Sequence, residues 1–182
     1  MICDVLILPG LWNSGPHHWQ SLWHEHNPHW RRAEHRDWTS PQCGEWVAEL
    51  NAAIAECEGA PILVAHSLGC ILVAHWANSG SPLKASGAFL VAPSDVEAPS
   101  FPGSPACWAP VPMQPLPFPS LVVGSANDPF ARPERTRAFA DAWGSRLVEI
   151  GEAGHLNAES GHGDWPEGLR LLEQFCGEVG KP

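Results

Sequence analysis

Short runs of apolar residues alternate along the chain with longer stretches in which apolar residues recur every three or four positions. The runs Ile62-Leu63-Val64 and Phe89-Leu90-Val91 contain no polar residue, which is typical of parallel strands buried on both faces. The alternation predicts an α/β fold with a mostly parallel sheet of about six strands flanked by helices. The predicted strands are 4–8, 33–37, 61–65, 86–92, 120–124 and 146–150.

Five stretches have the apolar spacing of helices that pack on a sheet. In the second of them, Trp46, Leu50 and Ile54 share one face. Ser40 is expected to cap this helix, because the proline that follows it suits the first helical position. The predicted helices are 17–26, 41–58, 68–78, 133–143 and 166–176, and residues 177–182 are expected to form a C-terminal tail.

Prolines recur every few residues between positions 96 and 119, a density that neither a helix nor a strand tolerates. This segment is therefore predicted to be a long loop, which leaves the fourth predicted strand. Two interpretations remain open, since the loop either forms one wall of a substrate cleft or crosses the surface without touching substrate. The length of 182 residues fits one domain, 1–182.

Charge and cysteine spacing exclude several classes of protein. The formal net charge of −10 disfavours binding to nucleic acid and to acidic membrane surfaces. The first residues lack a basic segment and no stretch is apolar enough to span a bilayer, so we expect a cytoplasmic protein. The six cysteines form no CxxC pair, and the histidine-rich stretch 17–26 lacks HExxH spacing, so neither a metal nor a cofactor is expected.

A candidate nucleophile lies where the third predicted strand meets the third predicted helix. The sequence there is Ala65-His66-Ser67-Leu68-Gly69. Hydrolases use this strand–serine–helix order to hold a serine Oγ at the tip of a sheet, in a turn that requires small neighbouring residues. Gly69 is one such residue, and Ala65 stands where glycine is usual. Ser67 is therefore the predicted catalytic serine.

A serine nucleophile needs a base, and the base needs an acid that orients it. In doubly wound hydrolases the acid and then the histidine follow the serine along the chain, on loops after later strands. Asp128 follows the strand 120–124, and His155 follows the strand 146–150. Asp95 and His162 are alternatives for the two roles, whereas His66 is expected to pack beneath the serine turn.

The reaction also requires donors for an oxyanion. The N–H of Leu68, at the start of a helix, is one predicted donor, and the N–H of Leu11 in the loop after the first strand is the other. The N–H of Trp12 is the alternative for the second oxyanion donor. Trp12 and Trp108 are also predicted to shape an apolar substrate pocket, because both lie in loops expected to border the serine.

Four ordered motifs resemble the small serine hydrolase family that includes YdeN-like bacterial proteins and the retinoblastoma-binding hydrolase of animals. The resemblance implies a compact α/β-hydrolase fold without a large lid, and the same triad of Ser67, Asp128 and His155. The motifs are Leu8-Pro9-Gly10 with Asn13-Ser14-Gly15-Pro16 and His18-Trp19-Gln20, Ala65-His66-Ser67-Leu68-Gly69-Cys70, Ser125-Ala126-Asn127-Asp128-Pro129, and Gly154-His155-Leu156-Asn157 with Trp165-Pro166-Glu167-Gly168.

These observations predict a serine hydrolase that cleaves small carboxylic esters through an acyl-serine intermediate, with a small molecule as its binding partner. Two alternatives remain at this stage. One is a protein-binding module on a hydrolase scaffold, since a fold does not by itself fix a function. The other is an acyltransferase that uses the same serine.

Overall fold

A computed structural model describes residues 3–102 and 107–180. Within them the chain forms six strands and five α-helices in the alternating order that the apolar pattern predicts. The strands are β1 Val5–Leu8, β2 Arg31–Arg32, β3 Ile62–His66, β4 Gly87–Val91, β5 Ser120–Gly124 and β6 Arg146–Glu149. The helices are α1 Trp19–His26, α2 Cys43–Ala55, α3 Leu68–Ala77, α4 Pro133–Trp143 and α5 Pro166–Val179.

The six strands form one sheet in the order β2-β1-β3-β4-β5-β6, and every neighbouring pair is parallel. The predicted fold class is confirmed. The chain winds first to one side of β1 and then to the other, so β1 and β3 are neighbours at the point where the strand order reverses. Loops that leave the carboxyl ends of strands at such a point diverge and open a crevice. The crevice between β1 and β3 is therefore where a site is expected.

Side chains along the central strands alternate between two apolar layers, as the two-residue period of a strand requires. Leu6 and Leu63 pack into the layer that contains α2, α3 and α4. Ile7 and Val64 pack into the opposite layer, with α1 and α5. Because both faces are covered, the strands are buried on both sides, which explains the apolar runs Ile62-Leu63-Val64 in β3 and Phe89-Leu90-Val91 in β4.

The predicted strand 33–37 is wrong, because β2 is the two-residue strand Arg31–Arg32 at the edge of the sheet. Pairing ends just beyond it, where the Ala33 N–H donates to the carbonyl of Ile7 at 2.9 Å. The chain then turns, and the Asp37 carboxylate accepts the N–H of Thr39 at 2.8 Å. An edge strand has a partner on one side only, so such a local polar turn easily ends it.

The helix predicted to begin at Pro41 begins at Cys43, with Gln42 rather than Ser40 at its N-cap. Ser40 and Pro41 are engaged elsewhere. The N–H of Ser40 donates to Asp37 Oδ1 at 3.0 Å, and the carbonyl of Pro41 accepts the indole N–H of Trp108 at 3.1 Å. The prediction of a tail at 177–182 is also wrong, because α5 continues to Val179, which packs on an apolar layer. Residues 181 and 182 of that tail lie outside the described residues.

The proline-rich segment has neither α-helix nor β-strand in its described parts, 96–102 and 107–119, as predicted. The prediction for residues 103–106 lies outside the described residues.

No helix in the described part of the chain is both long enough and apolar enough to cross a lipid bilayer.

Candidate active site

Ser67 lies in a sharp turn between β3 and α3 with φ 56° and ψ −123°, a conformation that non-glycine residues rarely adopt. Two glycines make the turn sterically feasible. A Cβ on Gly69 would lie 2.5 Å from the carbonyl oxygen of Leu8, and one on Gly10 would lie 2.8 Å from the Cβ of Ser67. Ala65, where glycine is usual, is fully buried in β3 with its methyl group in the apolar layer. The turn therefore tolerates this departure.

The structure brings the side chains of Ser67, His155 and Asp128 into one hydrogen-bonded chain. Ser67 Oγ lies 2.9 Å from Nε2 of His155. Nδ1 of the same imidazole lies 2.9 Å from each carboxylate oxygen of Asp128. The histidine and aspartate side chains are only 7% and 3% exposed, so little solvent competes for these contacts.

The partners of the imidazole assign its proton. A carboxylate only accepts hydrogen bonds, so Nδ1 of His155 must carry the hydrogen that faces Asp128. A neutral imidazole then has its lone pair on Nε2, where it accepts the hydroxyl hydrogen of Ser67. Asp128 is itself held in place, because its Oδ1 also accepts the N–H of Phe130 at 2.8 Å. The arrangement is that of a nucleophile, a base and a group that orients the base.

Two polar residues before Asp128 join its loop to the loop of His155. Asn127 Oδ1 accepts the N–H of Gly154 at 2.7 Å, and Ser125 Oγ accepts the N–H of Ala153 at 3.0 Å. The two side chains also bond to each other at 3.0 Å. These hydrogen bonds join the loops after β5 and β6, which fixes the position of Asp128 relative to His155.

The alternative acid and base are engaged elsewhere. The Asp95 carboxylate pairs with Arg135 Nε at 3.2 Å and accepts the N–H of Glu97 at 3.2 Å. His162 hydrogen-bonds Ser160 through Nδ1 at 3.3 Å. His66 Nε2 donates to the main-chain carbonyl of His155 at 2.8 Å, so the buried ring next to the serine turn also contacts the loop of His155.

Three imidazoles lie in a row that ends at His155. The ring centroids of His18 and His66 are 4.7 Å apart, and those of His66 and His155 are 4.8 Å apart. Burial lowers the pKa of His66 well below its usual value, and burial, with Arg32 and His155 nearby, lowers the pKa of His18 to about 3. Both rings are therefore neutral near pH 7 and place no charge beside His155.

The two predicted oxyanion donors lie on either side of the serine turn. The N–H of Leu68 is the first of α3, where an N–H has no acceptor within the helix and the helix dipole favours negative charge. A Cβ on Gly10 would lie 3.1 Å from this nitrogen, so the loop after β1 passes close to it. The Trp12 N–H donates to the carbonyl of Trp38 at 2.8 Å, whereas that of Leu11 makes no hydrogen bond with any described residue. Leu11 is therefore the better candidate for the second donor.

A cavity of about 370 Å³ opens above Ser67. Its lining includes Trp12, Phe101 and Pro102, so the first part of the proline-rich loop forms a wall of the cavity rather than a remote crossover. Trp12 lies at the rim with 58% of its surface exposed.

Trp108 does not lie where the sequence predicted. It is 1% exposed, makes an edge-to-face contact with Trp46 at 5.5 Å and is absent from the lining of the cavity. Its indole N–H reaches the Pro41 carbonyl, which allows the whole ring to be buried in the apolar layer beside α2 and α3. The assignment of Trp108 to the substrate pocket is therefore corrected to a core position.

Ser94 is a site residue that the sequence did not reveal. Its Oγ lies 2.8 Å from Ser67 Oγ, it is 1% exposed, and it lines the cavity. The signal in the sequence was its place three residues after β4 ends, at the same sheet edge as Ser67.

Within residues 3–102 and 107–180, no group of three or more histidine, cysteine, aspartate or glutamate side chains is arranged to hold a metal ion. In the histidine-rich stretch, His24 Nε2 bonds instead to the carbonyl of Trp30 at 3.1 Å.

Comparisons with known proteins agree with this geometry. The model of the serine hydrolase family matches residues 5–174. A YdeN-like hydrolase from Pectobacterium atrosepticum is 34% identical, with a TM-score of 0.86 over 97% of this chain and 91% of that one. The ydeN product of Bacillus subtilis is 19% identical, with a TM-score of 0.76 over 96% of this chain and 98% of that one.

Esterase 2 of Thermogutta terrifontis shares the fold at 19% identity, with a TM-score of 0.70 over 98% of this chain and 84% of that one. A search of curated protein sequences found no match. The family match covers most of the chain, and the sequence motifs, the sheet order and the serine turn all agree with it. The chain therefore belongs to the serine hydrolase family, in the YdeN-like group of the α/β-hydrolase superfamily.

Proposed function

We propose that the protein hydrolyses small carboxylic esters through an acyl-serine intermediate on Ser67. The observation that carries the proposal is the hydrogen-bonded chain from Ser67 through His155 to Asp128 at the floor of a cavity. Membership of the serine hydrolase family supports it, as does the shared fold with a protein named as an esterase.

In the acylation half-reaction, Ser67 Oγ attacks the ester carbonyl carbon while His155 Nε2 takes the hydroxyl proton. The carbonyl oxygen becomes an oxyanion, which the N–H groups of Leu68 and Leu11 stabilise. The tetrahedral intermediate then collapses. The bond between carbon and alcohol oxygen breaks, and His155 gives the proton to the departing alcohol.

In the deacylation half-reaction, water attacks the acyl-serine while His155 Nε2 takes one of its protons. The second tetrahedral intermediate collapses with cleavage of the bond between the acyl carbon and Ser67 Oγ. The proton on His155 passes to Oγ, so the carboxylic acid leaves and the enzyme is restored. Asp128 keeps the imidazole in the required tautomer throughout and stabilises its positive charge.

The cavity favours small, uncharged esters. Its volume of about 370 Å³ is at the low end for ligand pockets. Apolar walls come from Trp12, Phe101 and Phe130, and Glu159 also lies in the lining. With this carboxylate and the net charge of −10, anionic substrates are repelled.

Trp12 is the proposed contact for the bulkier end of the substrate. It has φ 64°, and its N–H bond to the Trp38 carbonyl holds the turn, so the backbone that carries this exposed indole is fixed at the rim of the cavity. We expect Trp12→Ala to lower kcat/KM for benzyl acetate about tenfold and for ethyl acetate less than about twofold. Only the phenyl ring of benzyl acetate can stack on the indole of Trp12.

Steady-state kinetics of both esters measure this effect, and Trp12→Phe, which retains an aromatic face, should keep most of the benzyl acetate activity. Equal losses on both esters would show instead that the substitution displaces the neighbouring Leu11 N–H.

A fluorophosphonate probe tests the proposed function. We expect one covalent adduct per chain, detected as an intact-mass shift, and fragmentation should place it on the peptide with Ser67. The same preparation should hydrolyse p-nitrophenyl acetate and lose that activity in proportion to labelling. A folded protein that forms no adduct would contradict the proposal and favour a binding module on the hydrolase scaffold.

A further inference from the structure

Among the described residues, Ser67 Oγ has two hydrogen-bond partners, and one of them lies outside the triad. The first is His155 Nε2 at 2.9 Å, and the second is the hydroxyl of Ser94 at 2.8 Å. Ser94 is buried and reaches the nucleophile from the loop after β4, on the wall of the same cavity. A second hydroxyl in contact with the reacting oxygen is not required by the triad and calls for its own explanation.

The backbone on both sides of Ser94 is anchored. Before it, the N–H of Ala92 donates to the carbonyl of Val123 at 2.9 Å. After it, the N–H of Asp95 donates to the carbonyl of Phe130 at 2.9 Å, and the Asp95 side chain pairs with Arg135. The Ser94 hydroxyl is therefore presented to Ser67 from a fixed backbone, as preorganised catalytic donors are.

The direction of the bond between the two serines follows from the state of His155. With Nδ1–H facing Asp128, the neutral imidazole offers a lone pair at Nε2, so the Ser67 hydroxyl donates its only hydrogen there. Ser67 has then no hydrogen left for Ser94. The bond at 2.8 Å must therefore run from the Ser94 hydroxyl to a lone pair of Ser67 Oγ.

We propose that Ser94 is a catalytic residue whose hydroxyl assists the departure of Ser67 Oγ during deacylation, an inference that rests on the proposed esterase function. In the acyl-enzyme, Oγ is an ester oxygen and a weak acceptor. As the bond between the acyl carbon and Oγ breaks, negative charge accumulates on Oγ, and the Ser94 O–H stabilises it while His155 delivers the proton. Ser94 keeps its own hydrogen, so no atom is transferred through it.

The same donor has opposing effects on acylation. It stabilises the charge that Ser67 Oγ develops as His155 removes its proton, but it also occupies a lone pair of the attacking oxygen. These effects partly cancel, whereas in deacylation the donor only helps the leaving group. Ser94 should therefore contribute more to deacylation than to acylation.

Stopped-flow kinetics with p-nitrophenyl acetate separate the two half-reactions, because the burst reports acylation and the steady state reports deacylation. For Ser94→Ala we expect the acylation rate to change less than about threefold and the deacylation rate to fall about 10- to 100-fold, somewhat below the loss of an oxyanion donor. Acetyl-enzyme should accumulate and be visible by intact-mass analysis. Ser94→Thr, which retains the hydroxyl, should recover deacylation.

Two results would overturn the inference. The first is an unchanged deacylation rate in Ser94→Ala. The second is an equal fall of both rates, which would assign Ser94 to packing alone, with thermal unfolding as the check on the fold. A Ser67→Ala control separates the proposals. If that variant turns over, the proposed acyl-serine mechanism on Ser67 itself fails, whereas Ser67-dependent turnover with unaltered kinetics in Ser94→Ala removes only the role of Ser94.

Discussion

Ser67→Ala is expected to lower kcat/KM for p-nitrophenyl acetate by about four orders of magnitude or more. Without Oγ no acyl-enzyme forms, and only the oxyanion donors and the cavity remain to assist attack by water. The fold should persist, because alanine adds no atoms to the turn and the φ of 56° is borne by a non-glycine residue in both proteins. Initial rates of ester hydrolysis measure the loss of kcat/KM, and the thermal unfolding midpoint measures whether the fold persists.

Ser79→Ala is the matched control, because Ser79 follows the opposite end of α3, where its hydroxyl donates to the Trp76 carbonyl at 2.7 Å and accepts the Ser81 N–H at 3.4 Å. This variant should keep wild-type turnover. If Ser67→Ala also retained turnover near that of the wild type, the nucleophile would lie elsewhere and the proposed mechanism would fail.

Asp128→Asn is expected to have the next largest effect, a loss of about 10³- to 10⁴-fold in kcat. Both carboxylate oxygens face Nδ1 of His155, and one also accepts the Phe130 N–H. An asparagine that keeps the bond to Phe130 turns its amide NH₂ toward Nδ1. The imidazole then carries its hydrogen on Nε2 and has no lone pair for the Ser67 hydroxyl.

Asp95→Asn provides the comparison, since Asp95 is the alternative acid and lies on the neighbouring loop. Its carboxylate pairs with Arg135 and has no contact with His155, so we expect turnover within about threefold of the wild type. The partly exposed ion pair contributes on the order of 1 kcal/mol or less to stability. Loss of activity in Asp95→Asn, with activity retained in Asp128→Asn, would exchange the roles of the two residues.

Much of the fold was predictable because its determinants are local. A strand buried on both faces is largely apolar, as β3, β4 and β5 are, so the sequence predicts these strands to within a residue or two of their bounds. The helix α4 begins at Pro133 and ends before Gly144, which adopts the left-handed conformation, and both signals are visible in the sequence.

The edge of the sheet was less predictable, because its determinants are tertiary. The strand β2 has one neighbour and two residues, so its position depends on where β1 can pair with it rather than on its own pattern. The start of α2 was misplaced for a similar reason. Asp37 and Trp108 engage Ser40 and Pro41, and one of these partners lies more than sixty residues away along the chain.

For this protein the sequence by itself determined the central strands of the sheet, the strand that ends just before Ser67, and the order in which Asp128 and His155 follow it along the chain. Apolar periodicity, glycine spacing and the parallel pairing of strands in βαβ units depend on residues close together along the chain. They can therefore be recognised from the sequence alone. Only the tertiary structure decided that Ser94 touches the nucleophile, that Trp108 lies in the core and that Trp12 stands at the rim. Those placements depend on which loops lie next to each other at the carboxyl edge of the sheet. Packing between segments that are distant along the chain determines which loops these are.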